Sequence, residues 1–315
     1  MRYVIDNGQL RVEADSLGGE LQSVRKDGGE YLWQADPAYW DGKAPNLFPY
    51  IARMTEGKYV LDGQTYHMSI HGFAHTMEMK AEETGRDRLV FRLDADEKTR
   101  ACYPFEFTFR IIYELEESVL HITYQVENLG TKEMYFGVGG HPGFCLPLGQ
   151  GAETEEKKAA FEDYYLEFGE DADGNDGNAA NASGLREAPA CPVRIGFSPS
   201  CFLNGEDVPY QLENGKRIRL RHDLFDQDAI VLKDVPKCVT LKAEGSGRYV
   251  KVRYPDMPYL GIWHAVKKPA PYVCIEPWSS LPSRQDVVED LATQPGLICL
   301  QGGGCYRNAW EIEVE

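Results

Sequence analysis

Two histidines and one glutamate stand where the chain is punctuated by glycine or proline: His71-Gly72-Phe73, Gly140-His141-Pro142 and Glu276-Pro277-Trp278. Imidazole and carboxylate are the side chains best suited to moving protons at neutral pH. They lie 70 and then 135 residues apart, so only the fold can bring them together. His141 carries the clearest signal. Gly139-Gly140 before it and Pro142-Gly143 after it deny it regular structure, permit close approach of a ligand and fix the exit of the chain. The bland reading is a turn histidine bonded to backbone. Glu276 ends the apolar run Pro271-Tyr272-Val273-Cys274-Ile275, so its carboxyl is expected to be partly buried. Burial of a carboxyl is costly unless it is paired or used, and it raises proton affinity towards the range of a general base. A structural ion pair with an arginine is the competing reading.

Three more residues join them as candidates. Arg53 follows Pro49-Tyr50-Ile51-Ala52 and can fork onto a ligand oxygen. Asp228 precedes the apolar Ala229-Ile230-Val231-Leu232, and Trp278 offers a ring face to a sugar or to the core. Each alone reads equally well as a surface, ion-pair or core residue. His67, His71 and His75 would share a metal-binding face on a helix. The Asp62-Gly63 turn and the strand pattern oppose a helix there, and on a strand residues four apart are separated by about 13 Å. No C-x-x-C, phosphate loop or nucleophile elbow occurs, which removes the simplest zinc and redox readings.

The elements that must position these residues are strands. Phe105, Phe107, Phe109, Ile111 and Tyr113 alternate with polar neighbours, as do Leu120, Ile122, Tyr124 and Val126. Val239 and Leu241, then Val250, Val252 and Tyr254, and finally Trp310, Ile312 and Val314 repeat the period of two. Asn7-Gly8 and Asp62-Gly63 supply hairpin turns between such runs. One short helix is expected after Ser283, with Asp286 in a capping-box-like position. Residues 169–187, rich in Gly, Asp, Asn and Ala, read as a loop insertion. The pattern predicts an all-β chain, a large antiparallel sandwich forming a single domain over residues 1–315.

Bulk properties narrow the partners. A net charge of −17 in 315 residues argues against nucleic acid and against an anionic membrane surface. No apolar run approaches the ~20 residues of a membrane span. The first residues, Met1-Arg2-Tyr3-Val4-Ile5-Asp6, lack the apolar stretch of a secretory signal. The eight cysteines are scattered, and Cys102, Cys145, Cys238, Cys274 and Cys299 lie in or beside apolar stretches as free, buried thiols would. A cytoplasmic protein is the expectation.

Four motifs taken in order resemble the aldose 1-epimerase family, and within it the bacterial galactose-mutarotase-like LacX branch. They are Asn46-Leu47-Phe48-Pro49-Tyr50-Ile51-Ala52-Arg53, His71-Gly72-Phe73-Ala74, Gly139-Gly140-His141-Pro142-Gly143-Phe144 and Cys274-Ile275-Glu276-Pro277-Trp278. The resemblance covers essentially the whole chain. It implies a β-supersandwich and cofactor-free interconversion of the α and β anomers of an aldose. By position it implies Glu276 as general base, His141 as general acid and His71 as the second histidine near the ring oxygen. Arg53 and Asp228 would contact sugar hydroxyls. It implies a small-molecule sugar as the partner, and a monomer or a homodimer. The chain departs from the pattern at His75, where an arginine is usual, at Ser279-Ser280, where tyrosine and glycine are usual, and in the loop 264–268. These departures bear on substrate choice. A hexose-6-phosphate 1-epimerase and a non-catalytic carbohydrate-binding sandwich are the rivals. A glycosidase would need paired carboxylates across the bond, and only Glu276 stands out.

Overall fold

The alternation starting at Phe107 folds into the strand Phe107–Glu116, which turns at Glu117 and pairs along its length with Val119–Asn128. Phe109, Ile111, Tyr113, Leu120, Ile122 and Tyr124 are all buried. Phe105 lies just before the strand rather than in it. In this computed structural model residues 1–151, 159–169 and 191–315 are described. The expected insertion at 169–187 lies outside the described residues, apart from Gly169.

Those two strands sit in a nine-stranded sheet that also holds Cys238–Ala243, Tyr249–Arg253 and Cys305–Val314. An eight-stranded sheet faces it. Its order runs through Ile230–Lys233, Tyr259–Trp263, Tyr272–Trp278, Gly139–Gly140 and Asn46–Leu47. Pairing between the strands is antiparallel throughout. The core between the sheets takes Phe109, Tyr124, Val250 and Ile312 from one side and Ile230, Leu260, Val273 and Ile275 from the other. The hydrophobic cluster they belong to draws on residues from Ile5 to Val314. The all-β, antiparallel reading holds. Both predicted hairpins form, Arg2–Asp6 with Arg11–Asp15 and Lys58–Leu61 with Gln64–His67.

Two local expectations fail. No helix follows Ser283, where the chain makes turns. Its hydroxyl accepts the Thr55 amide at 2.7 Å instead of capping a helix, and Asp286 adopts a left-handed φ of 58°. Among the described residues the one α-helix is Glu97–Cys102, with the Asp96 carboxylate accepting the Thr99 amide and the Thr99 hydroxyl accepting the Asp96 amide. All eight cysteines are free. Cys145, Cys238 and Cys274 are buried, but Cys102 is half-buried and Cys299 is exposed. Cys299 lies in a two-stranded ribbon, Met134–Phe136 with Ile298–Leu300, whose Met134 and Phe136 face the core while Cys299 stays outside it.

Period two also decides where the site lies. In the strand Tyr272–Trp278, Val273 and Ile275 point into the main core. Tyr272, Cys274, Glu276 and Trp278 therefore share the opposite face. That face is covered by loops rather than by a sheet.

Candidate active site

Glu276 projects from the outward face of Tyr272–Trp278 and is 1% exposed. Its register partner on the neighbouring strand is Gly261. A Cβ added at Gly261 would lie 3.2 Å from the Glu276 Cβ and 3.2 Å from the Trp278 ring, so the missing side chain leaves the carboxylate its place. Neither carboxylate oxygen has a hydrogen-bond partner among the described residues. Burial pushes its proton affinity well above the ordinary carboxyl range, and the Asp228 charge adds to this; the nearby Trp278 indole works against both.

His141 faces it. The Gly139–Gly140 strand delivers the histidine beside Tyr272–Trp278, and the His141 amide donates to the Pro45 carbonyl at 3.2 Å. The imidazole Nε2 lies 3.3 Å from Glu276 Oε2. That is close enough to pass a proton, though long for a good N–H···O bond. Burial lowers the imidazole pKa to about 4. Desolvation thus disfavours the charged form of both partners. One proton shared by the pair satisfies this, and in the resting site it sits on the carboxyl side. Trp40 lies along the ring, with centroids 5.1 Å apart and planes at 32°, and Trp263 meets it edge-on at 5.6 Å.

His71 completes the trio, its ring centroid 5.5 Å from that of His141. Its backbone is left-handed, at φ 64°, and so is that of Ala52, at 56°. The two residues lock each other. The His71 amide donates to the Ala52 carbonyl at 2.9 Å, and the Ala52 amide donates to His71 Nδ1 at 3.1 Å. With Nδ1 engaged as an acceptor, the neutral ring carries its proton on Nε2. Burial, with help from His141, His75 and Arg53, depresses the pKa well below the usual histidine value, so His71 is a neutral donor.

The polar rim comes from Arg53 and Asp228. Asp228 also has a left-handed φ, 80°. Its carboxylate is oriented by the Cys201 thiol, which donates at 2.8 Å, and by the Ala229 amide, which donates at 2.9 Å. The Arg53 guanidinium is exposed and makes no hydrogen bond or ion pair among the described residues. All six residues singled out from sequence line one cavity of about 240 Å³. That is below the ~300–1,000 Å³ of drug-sized ligand sites and suits one small ring better than a chain of them.

Among the wall residues that sequence reasoning missed are Trp40, Trp263 and Cys201. Trp263 immediately precedes the departing loop 264–268, which was the available signal. Lys268 in that loop donates to the Ala38 carbonyl at 2.6 Å and so ties it to the segment bearing Trp40. Cys201 gave no signal. His75 lies behind the site and not on its wall. His67, His71 and His75 do not gather as a metal cluster among the described residues.

Comparison with known proteins gives one answer. Residues 1–289 match the aldose 1-epimerase family. The plasmid-borne protein LacX of Lactococcus lactis is 32% identical over 322 residues, covering 100% of this chain and 99% of its own. A galactose mutarotase related enzyme of Lactobacillus acidophilus superposes with a TM-score of 0.86 at 31% identity, over 100% of this chain and 97% of that one. A galactose mutarotase-like protein of Lactobacillus casei gives 0.86 at 28% identity, with full coverage of both chains. With its sandwich, its motifs and its full-length relatives in agreement, the chain belongs to the aldose 1-epimerase family.

Proposed function

We propose that the chain is an aldose 1-epimerase that exchanges the α and β anomers of a free monosaccharide by acid–base ring opening. The observation that carries this reading is the buried Glu276 carboxyl, without a hydrogen-bond partner among the described residues and 3.3 Å from His141 Nε2 at the base of a one-ring cavity. Opening a cyclic hemiacetal takes a proton from the C1 hydroxyl and gives one to the ring oxygen as the C1–O bond breaks. The open-chain aldehyde rotates about C1–C2 and recloses by the reverse transfers. The pair's single proton first passes from Glu276 to His141 Nε2 across their 3.3 Å contact; the carboxylate then takes the C1 proton and the imidazolium supplies the one the ring oxygen needs. His71 Nε2–H donates to the ring oxygen as charge builds there. Arg53 and Asp228, with opposite demands, read the remaining hydroxyls, and Trp40 and Trp263 wall the ring. The cavity holds one arginine against two carboxyls, Asp228 and Glu276, which favours an uncharged sugar over a hexose 6-phosphate.

Polarimetric mutarotation of glucose, galactose and a hexose 6-phosphate tests this. Wild type should accelerate exchange of a free aldose. Glu276→Gln and His141→Ala should each lower kcat by about 10²-fold or more, at comparable KM, as befits loss of a positioned acid or base. A wild-type rate equal to the spontaneous one on every sugar ends the enzyme reading. A rate confined to the 6-phosphate moves the substrate assignment.

A further inference from the structure

Behind the proton-transfer pair lies a third donor that the reaction does not use. Cys274 is two residues before Glu276 on the same face of the same strand, is fully buried, and has no hydrogen bond among the described residues. One ligating atom each from His141, Cys274 and Glu276 lies within 4.8 Å of the other two. The trio is also unusually unengaged. Both Glu276 oxygens and His141 Nδ1 are buried without partners among the described residues, the Glu276 side chain being 1% exposed.

From this geometry we infer that His141, Cys274 and Glu276 form a three-donor site for Zn²⁺, and that zinc there excludes the sugar. Metal–ligand distances of about 2.0–2.3 Å place tetrahedral donors about 3.4–3.7 Å apart, so the trio must close by roughly 1 Å. Side-chain rotation supplies that, and the His141–Glu276 pair already stands at 3.3 Å. The donor set is one sulfur, one nitrogen and one oxygen, which selects zinc over the hard cations magnesium and calcium. Charge balances as well. The Cys274 thiol and the Glu276 carboxyl each give up a proton to solvent on binding, and thiolate plus carboxylate neutralise the dication, so no net charge is buried. The fourth position faces the cavity. Zinc occupies the base and the acid of the proposed reaction together, so inhibition would be competitive with sugar; that half of the inference rests on the epimerase reading, and the binding half does not.

The experiment is a calorimetric titration of chelator-stripped full-length protein with ZnCl₂, in parallel with mutarotation. Wild type should bind one zinc ion and lose activity in step, with EDTA restoring it. Cys274→Ala should fold and turn over as wild type does, yet bind zinc at least ~100-fold more weakly, a larger loss than removal of an outer-shell partner produces. Zinc held on the exposed Cys191, Cys299 and Cys305 would be the same in both proteins and cancels in the comparison. Equal affinity in wild type and Cys274→Ala, or no binding by wild type, overturns the site. Should Cys274→Ala fail to fold, Co²⁺ bound to wild type must show a sulfur-to-metal charge-transfer band that saturating galactose removes; cobalt binding without that band also overturns it. Wild type that binds zinc through Cys274 but exchanges no anomers keeps the site and removes the epimerase reading. Activity without zinc binding does the reverse.

Discussion

Replacing His71 separates two jobs that the ring does at once. Nδ1 accepts the Ala52 amide at 3.1 Å and holds two left-handed residues together, while Nε2–H is the donor proposed for the sugar. Asparagine places its Oδ1 where Nδ1 stood and tolerates a φ near 64°, so His71→Asn should keep the first job and lose the second. His71→Ala should lose both. The orphaned Ala52 amide then costs about 1–3 kcal/mol, and alanine at positive φ adds to that. At about 2–4 °C per kcal/mol for a chain of 150–250 residues, and somewhat less for this longer one, the alanine variant should melt several degrees below the asparagine variant. On activity the two should agree. A fixed donor to developing charge on an oxygen is worth roughly 10²–10³ in kcat. Differential scanning calorimetry and polarimetry on the same preparations measure both. An asparagine variant with wild-type kcat would show that the ring is structural, and equal melting of the two variants would show that the Nδ1 contact carries nothing.

The activity profile should be bell-shaped, falling in acid through about pH 4 as His141 takes a second proton and in alkali as the raised carboxyl loses the pair's last one; kcat/KM against pH decides this. Glu167 should govern acid stability. Burial acts to raise its pKa, but Lys216, Lys242 and Arg217 at 2.7–3.0 Å outweigh that and hold it at about 2, below the ordinary 4.5. Its folded pKa is depressed, so its stabilisation is fully present above about pH 4.5 and is lost as pH falls towards 2. Of the roughly 3 kcal/mol that shift represents, about 1–2 should survive screening through its partly exposed partners. Glu167→Gln should therefore melt lower than wild type at pH 7, with the gap closing near pH 2. Gly140→Ala should cost about 1–3 kcal/mol by overpacking, since the new Cβ would meet Trp310 Cζ2 at 2.4 Å. An unchanged melt in chemical denaturant would contradict the close fit of the two sheets there.

Strand alternation made the sandwich legible, but Glu276 ends an unbroken apolar run, and only the folded strand shows that it shares a face with Tyr272, Cys274 and Trp278. Glycine and proline around His141 marked an irregular backbone held for a purpose. Tertiary bonds overruled local signals elsewhere. Ser283 resembles a helix cap, but its hydroxyl is taken by Thr55, which lies 228 residues away in sequence. The true helix start, Asp96 with Thr99, carries a reciprocal cap in a stretch whose polar residues hid it. Trp40 and Cys201 sit on loops, where side-chain direction has no period to read, and Trp263 is the last residue of a strand, so only the folded chain shows that they meet His141 and Asp228.

The clustering of indoles gives the protein a built-in optical gauge. Trp40 and Trp263 touch the His141 ring, Trp278 adjoins Glu276, and Trp33 reaches Trp40 through the stacked Tyr272 at 4.5 and 5.7 Å. Trp310, the last of the five, lies against Gly140. An imidazolium quenches indole emission by accepting an electron, and a neutral imidazole does not. Fluorescence followed from pH 7 downward therefore dims as His141 charges, reporting the protonation of one ring without label or substrate. A sugar bound between Trp40 and Trp263 would alter the same emission at constant pH, so one cuvette reads both occupancy and protonation state.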